Sequence, residues 1–430
     1  MTHERSPAQP PPRKRRKRKK SRSSPAATTI HSLTDDLLLQ IFLRLPSLAT
    51  LVRAALACRP WRRAVVSSPD FRRRFRELHP SPFLGLFFQT PSPVEDPALP
   101  AFPYFVPARR HDRDLLAAVR GGDFFLTYIQ GHPEKALSWE ILDCRSGYVL
   151  LRNGDQLSSK AMAVVNPLAR RHWFFDDSPW EVCEGSRGTA FGLNACLLYS
   201  DETPTSFRVV ALAIDESRVR AAVFSSDTRE WEIHPWVDAP GRPRRSKMWL
   251  RNSKMQSNGF LYWLYNNHKY MITLNTETMW FSAEELPRFL KNHCCSFDVG
   301  ETKSCEPCLV YAIDFTVGVM LRRTDSDGIE KWMLDRATPL DTQLDGVLRE
   351  MKAGYDELLV VAVRDGFAYL ATASKVDPHK QSWFLSLCLE TMKLENLFQK
   401  EYDSGAHPYA MAWPPPLVGN YGIFALEDGT

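Results

Sequence analysis

Residues 31–75 read HSLTDDLLLQIFLRLPSLATLVRAALACRPWRRAVVSSPDFRRRF. Leu33, Leu37, Leu38, Ile41, Phe42 and Leu45 recur at the three- and four-residue spacing of one helix face. Asp35 and Asp36 fall in the first turn of that helix and Arg44 in its last, which suits the helix dipole. Ser32 with Asp35 makes a capping-box-like start, and Thr34 is the other candidate N-cap. Pro46 ends the helix. Ser47 then caps a second helix carrying Leu48, Leu51, Val52, Ala55 and Leu56. A third starts near Arg59, with Pro60 tolerated in its first turn. Trp61, Ala64 and Val65 face inward there, while Arg59, Arg62 and Arg63 face out. The pattern predicts three short amphipathic helices within residues 31–80, punctuated by Pro46 and Ser67-Ser68-Pro69. Below ~70–80 residues a single core rarely supplies more than ~3–5 kcal/mol. A helical unit this small must lean on a neighbour or a partner.

The order of residue types carries more than the periodicity. Leu33, Asp36-Leu37-Leu38, Ile41, Arg44-Leu45-Pro46, Leu51, Ala54-Ala55, Cys58-Arg59-Pro60-Trp61-Arg62-Arg63 and Ser68-Pro69-Asp70-Phe71 together resemble the F-box. The resemblance covers about 45 of the 430 residues. Thr34 stands where the family usually has Pro; Thr also starts helices, so the fold is expected to survive. By this resemblance the helices dock on a Skp-type adaptor, which links to a cullin and a RING protein. The positions that fold the motif or touch the adaptor are then Leu33, Leu37, Leu38, Ile41, Leu45, Pro46, Cys58 and Trp61.

Charge is segregated along the chain. The net charge is +5, yet residues 1–22 hold ten Lys/Arg against one acid, and residues 31–80 nine against four. Residues 81–430 are therefore acidic by nine charges. Residues 1–30 have almost no apolar content and are expected to form a disordered tail. Within it, Arg13-Lys14-Arg15-Arg16-Lys17-Arg18-Lys19-Lys20 is the pattern of a nuclear-import signal, a flexible cationic strand for an acidic receptor groove. No aromatic residue interrupts the run, so base stacking gains no support and nucleic acid is not the expected partner. The expected compartment is the nucleus, with the cytoplasm second. No run approaches the ~18 apolar residues that span a bilayer, and the start lacks a signal-peptide hydrophobic region. Nine cysteines, an odd number, argue for reduced thiols.

From Phe83 onward the rhythm changes to short apolar strands between Gly, Asn, Asp, Ser and Pro turns. GYVLL starts at Gly147, RVVALAI at Arg208, GFLYWL at Gly259, LVYAIDF at Leu309 and GFAYLA at Gly366, at intervals of 61, 51, 50 and 57 residues. A hairpin trails each start, with Trp173, Trp231, Trp280, Trp332 and Leu397-Phe398 in its second strand. A repeat near 50 residues with a hairpin per unit marks a β-propeller. The recurrent aromatic is expected to fill the seam between blades. Counting FLGLFF at 83–88, six blades are expected, the first closed by a strand around Tyr421–Leu426. Seven blades and a pair of β-sandwiches are the alternatives. The expected class is α+β multidomain, with a tail at 1–30, the helical F-box at 31–80 and an all-β propeller at 81–430. The order of F-box, HPSPFLGLFF and irregular blades resembles plant-type F-box proteins with an associated β-propeller.

Catalytic patterns are thin. Glu184-Gly185-Ser186-Arg187-Gly188 places its Ser directly after the first Gly and is no nucleophile elbow. There is no phosphate loop and no H-E-x-x-H helix. His293, Cys294, Cys295, Cys305 and Cys308 offer zinc donor atoms, but adjacent thiolates seldom reach one ion together, so no metal and no cofactor are expected. The expected function is a non-catalytic substrate receptor of an SCF-type ubiquitin ligase, its propeller binding an unidentified protein substrate and no membrane. The alternatives are a nuclear propeller scaffold outside any ligase and, more remotely, a propeller enzyme.

Overall fold

The computed structural model describes residues 33–89, 102–108, 112–130, 139–153, 161–177, 179–199, 206–241, 250–266, 269–292, 295–324, 330–349, 354–377, 379–402 and 405–414, with 328 and 417. The basic run 13–20 lies outside them.

Four helices open the described chain, α1 (Asp35–Phe42), α2 (Leu48–Ala55), α3 (Arg59–Val66) and α4 (Pro69–Leu78). The sequence pattern predicted three. Ser68-Pro69, a break in the sequence pattern, starts the fourth: the Ser68 side chain accepts from Phe71 N at 3.2 Å, and Pro69 occupies the first turn. Ser47 caps α2 as expected, accepting from Thr50 N at 3.2 Å. α1 starts at Thr34, whose side chain makes no capping bond, and it ends at Phe42, so Arg44 lies beyond it.

Six sheets follow. Blade one pairs Phe83–Phe88 with Tyr104–Pro107 on one side and Ala406–Ala410 on the other. The next four-stranded blades have inner strands Trp139–Arg145 (blade two), Leu250–Ser257 (four), Ser296–Glu301 (five) and Glu357–Arg364 (six). Blade three, with inner strand Phe191–Tyr199, carries an additional short strand, Val237–Asp238. The inner strands touch in a closed ring, with 406–410 lying between those of blades six and two. Both ends of the propeller chain thus share blade one. The closing strand lies well before Tyr421–Leu426, where it was expected; those residues fall outside the described set. The repeated segments GYVLL, RVVALAI, GFLYWL, LVYAIDF and GFAYLA form the second strands of blades two to six, and FLGLFF is the second strand of blade one.

Each seam between neighbouring blades holds an apolar cluster. Leu150, Met162 and Val164 meet Leu197, Val209 and Phe224 between blades two and three. Leu86 and Phe88 meet Ala371 and Phe384 between blades one and six. The predicted tryptophan register holds only in part. Trp332 is 8% exposed and closes the seam between blades four and five. Trp173 and Trp231 are half-buried at the seam of blades two and three. Trp280 is 75% exposed. The cause is a one-residue offset: its strand begins at Phe281, which pairs with Leu274 and is buried, so Trp280 falls in the turn. Side chains alternate along a strand, and one step reverses the face.

Candidate functional site

Two features stand out, the outer face of the helices and the axis of the propeller. On α1, Leu38 and Phe42 point inward at 3% exposure, while Leu37 and Ile41 are 54% and 42% exposed. Leu37 and Ile41 thus leave an open apolar strip along the outer side of α1. The eight predicted positions therefore divide. Leu37, Ile41 and Pro46 face outward. Leu38 is buried, and Leu45 and Trp61 pack against the core, Trp61 edge-on to Phe42 at 5.7 Å. Leu33 is half-buried, and Cys58 is the half-buried residue at which α3 starts.

Along the axis the inner strands bring charges together. Asp143 accepts from Leu197 N of the next blade at 2.9 Å, and Asp298 accepts from Val363 N at 2.9 Å. The two carboxylates pin neighbouring inner strands in the same way. Lys254 donates to the carbonyls of Leu142 and Ala195 and lies 3.8 Å from Asp143. Arg145 reaches Glu301 at 3.4 Å and Gln256 O at 3.1 Å. Burial opposes the Asp143 charge, but Lys254, Arg364 and Arg145 outweigh it and hold the carboxyl below its usual range. At Asp298 burial outweighs Arg364 and raises the carboxyl to about 6. Burial, aided by Lys254, lowers His407 to about 4.

These shifts set opposite pH dependences. The raised Asp298 stabilises the fold fully below its unfolded pKa of about 4 and loses that contribution as pH rises through about 6. The depressed Asp143 contributes above about pH 4 and loses it as pH falls. Asp298→Asn keeps an acceptor for Val363 N and removes the titration. Urea unfolding of this variant should show a smaller fall in stability between about pH 4 and 7 than the wild type does. An unchanged profile would contradict this.

Above the axis, on the side of the turns linking inner to second strands, opens a funnel of about 1490 Å³. Arg145, Gln256 and Glu301 reach it from the axis, and Pro69, Arg73, Arg76 and Glu77 of α4 line it from the helical domain. Arg145 Nε, Gln256 Oε1 and Glu301 Oε2 are buried and have no hydrogen-bond partner among the described residues. The funnel is polar and of mixed charge, with Glu306, Asp335, Asp365 and Glu390 beside Lys303, Arg323 and Arg336. Sequence reasoning missed this constellation. Its signal was a charge inside an otherwise apolar inner strand, as in WEILDCR, SFDVGE and ELLVVAVR.

The described thiols do not converge. Cys308 packs in the seam of blades five and six, Cys295 packs in that of blades four and five, and Cys305 is exposed. His293 and Cys294 lie outside the described residues. Among the described residues no three His, Cys, Asp or Glu side chains form a metal-ligand group, and no helix is long and apolar enough to cross a membrane.

Comparison with known proteins agrees with this architecture. An F-box-like family model matches residues 31–77. The family described as F-box protein AT5G49610-like, beta-propeller, matches residues 140–417. A search of curated proteins found no match. Among solved structures, a protein of unknown function from Bacteroides caccae is 8% identical, with 76% of this chain and 99% of that one covered and a TM-score of 0.37. TolB from Acinetobacter baumannii is 10% identical, with 71% and 63% covered and a TM-score of 0.34. These two carry no functional information. The family match spans more than half of the chain, covering blades two to six and the strand that closes blade one, and the chain belongs to the AT5G49610-like F-box β-propeller family.

Proposed function

We propose that this chain is a substrate receptor of an SCF-type cullin-RING ubiquitin ligase. Its helices bind a Skp-type adaptor and, through it, cullin and RING subunits; its propeller holds a protein substrate. The observation that carries this reading is the open apolar face of α1 on an F-box-like unit joined to a propeller. Leu37, Ile41 and Pro46 are the adaptor contacts; Leu38, Leu45 and Trp61 hold the face, Leu33 flanks it and Cys58 sets the start of α3. The funnel is the substrate surface, because α4 lines it and a substrate lodged there lies beside the ligase-bound helices. Ubiquitin transfer is catalysed elsewhere in the complex. This chain supplies proximity and orientation, which need no catalytic side chain of its own.

Affinity purification of the tagged chain followed by mass spectrometry tests the reading. Adaptor and cullin should be recovered together. Recovery of other nuclear proteins with neither of them would favour a scaffold outside any ligase.

The basic run 13–20 is proposed as the import signal. Deleting residues 1–22 should move a fluorescently tagged chain from nucleus to cytoplasm and leave its melting temperature unchanged, since the segment has almost no apolar side chains to pack. Unchanged nuclear enrichment would remove this role.

A further inference from the structure

The helical domain does not finish its own core. After the closing strand, Met411 N donates to Pro82 O at 2.9 Å and the chain runs into the helices. Trp413 and Leu417 are 2% and 0% exposed, within the cluster that holds Leu38, Phe42, Leu51, Phe71 and Phe75. Phe75 lies 5.9 Å from the Trp413 ring, centroid to centroid. Arg76 spans the junction: its guanidinium lies 4.9 Å over that ring, and Nη2 donates to Met411 O at 3.1 Å. The same segment is seated on blade two. A Cβ on Gly147, whose φ is +80°, would come 2.4 Å from Ala412 N, so only glycine fits that turn. Tyr409 Oη donates to Gly147 O at 2.9 Å.

A core assembled from residues near 40, 75 and 413 is complete only once the last of them is in place. The first four helices alone are far below the size at which one core suffices. Residue 413 follows directly on strand 406–410, which closes blade one, so the strand delivers it to the helices.

We infer that the closed propeller steadies the F-box helices in their docking form, with Trp413 as the positioning residue. Trp413 packs on the inward cluster, and Leu38 and Phe42 of that cluster share α1 with Leu37 and Ile41. Loosening the inner side of α1 therefore loosens the outer face. A receptor whose propeller is truncated or unclosed would then bind the ligase more weakly, although its F-box sequence is intact. The adaptor half of this inference rests on the receptor reading above; the coupling half does not.

The test uses the full-length chain with Trp413→Ala and Trp413→Phe, read by amide hydrogen exchange and by affinity for purified adaptor. The indole N–H of Trp413 has no acceptor among the described residues, so phenylalanine loses shape but none of the described bonds. In Trp413→Ala, protection across α1–α4 should fall at least about tenfold, and adaptor affinity at least about tenfold with it. The inner strands of blades three to five should keep their protection. Trp413→Phe should recover most of both losses. Unchanged protection in α1–α4 would overturn the coupling, as would an equal loss in helices and all blades. Should Trp413→Ala fail to fold, Leu417→Ala makes the same comparison with a smaller deletion. A wild-type chain that binds no adaptor would overturn the receptor reading, while the exchange pattern would still decide the coupling.

Discussion

Replacing Leu37 and Ile41 together by aspartate is expected to abolish adaptor binding while the propeller keeps its melting transition. Both side chains lie on the outer face of α1 and are about half exposed, so neither change places a charge in the core. Loss of one central apolar anchor typically costs ~2–4 kcal/mol of binding, a ~30–1000-fold weakening per site. Leu38→Asp is the informative contrast. Leu38 is 3% exposed among Phe42, Leu51 and Phe75, and an unpaired charge there should unfold the helices. Pull-down with purified adaptor, paired with circular dichroism, separates the two outcomes. Wild-type recovery of adaptor by the double variant would show that this face is not the docking surface.

Trp332→Ala should destabilise the propeller by about 3–5 kcal/mol, whereas Trp280→Ala should change stability by less than about 0.5 kcal/mol. Trp332 is 8% exposed, packs among Tyr262, Leu309 and Met320, and donates to Glu284 at 3.2 Å. Its removal leaves a cavity and deprives a carboxylate held by Arg322 of one donor. Trp280 is 75% exposed at a turn, so its removal leaves no cavity. Urea denaturation of both variants checks the pair. Equal midpoints for the two would contradict the seam assignment.

The helices and the blade repeat were legible because each follows a short-range rule. Apolar spacing fixed α1 to α3, and the second strand of every blade announced itself by an apolar run after a turn. The helix from Pro69 was missed because Ser-Pro reads equally as a stop and as a start. Trp280 was misplaced because a repeat with loose spacing does not fix strand register, and one residue exchanges core for solvent. The axial ion network and the return of Trp413 to the helices depend on residues far apart in sequence. Arg145 and Glu301 lie 156 positions apart, and Arg76 and Met411 lie 335 apart. No local pattern encodes such pairs; only the inward-pointing charges within apolar strands gave a sign of the axis.

The most direct measurement is the affinity of the purified full-length chain for a purified Skp-type adaptor, by isothermal titration calorimetry. A one-to-one complex with a dissociation constant of about 1 μM or tighter is expected, about −8 kcal/mol, and it should be lost in the Leu37→Asp, Ile41→Asp variant. Absence of binding up to about 100 μM adaptor, with the helices shown to be folded, would contradict the assignment of this chain as a ligase receptor.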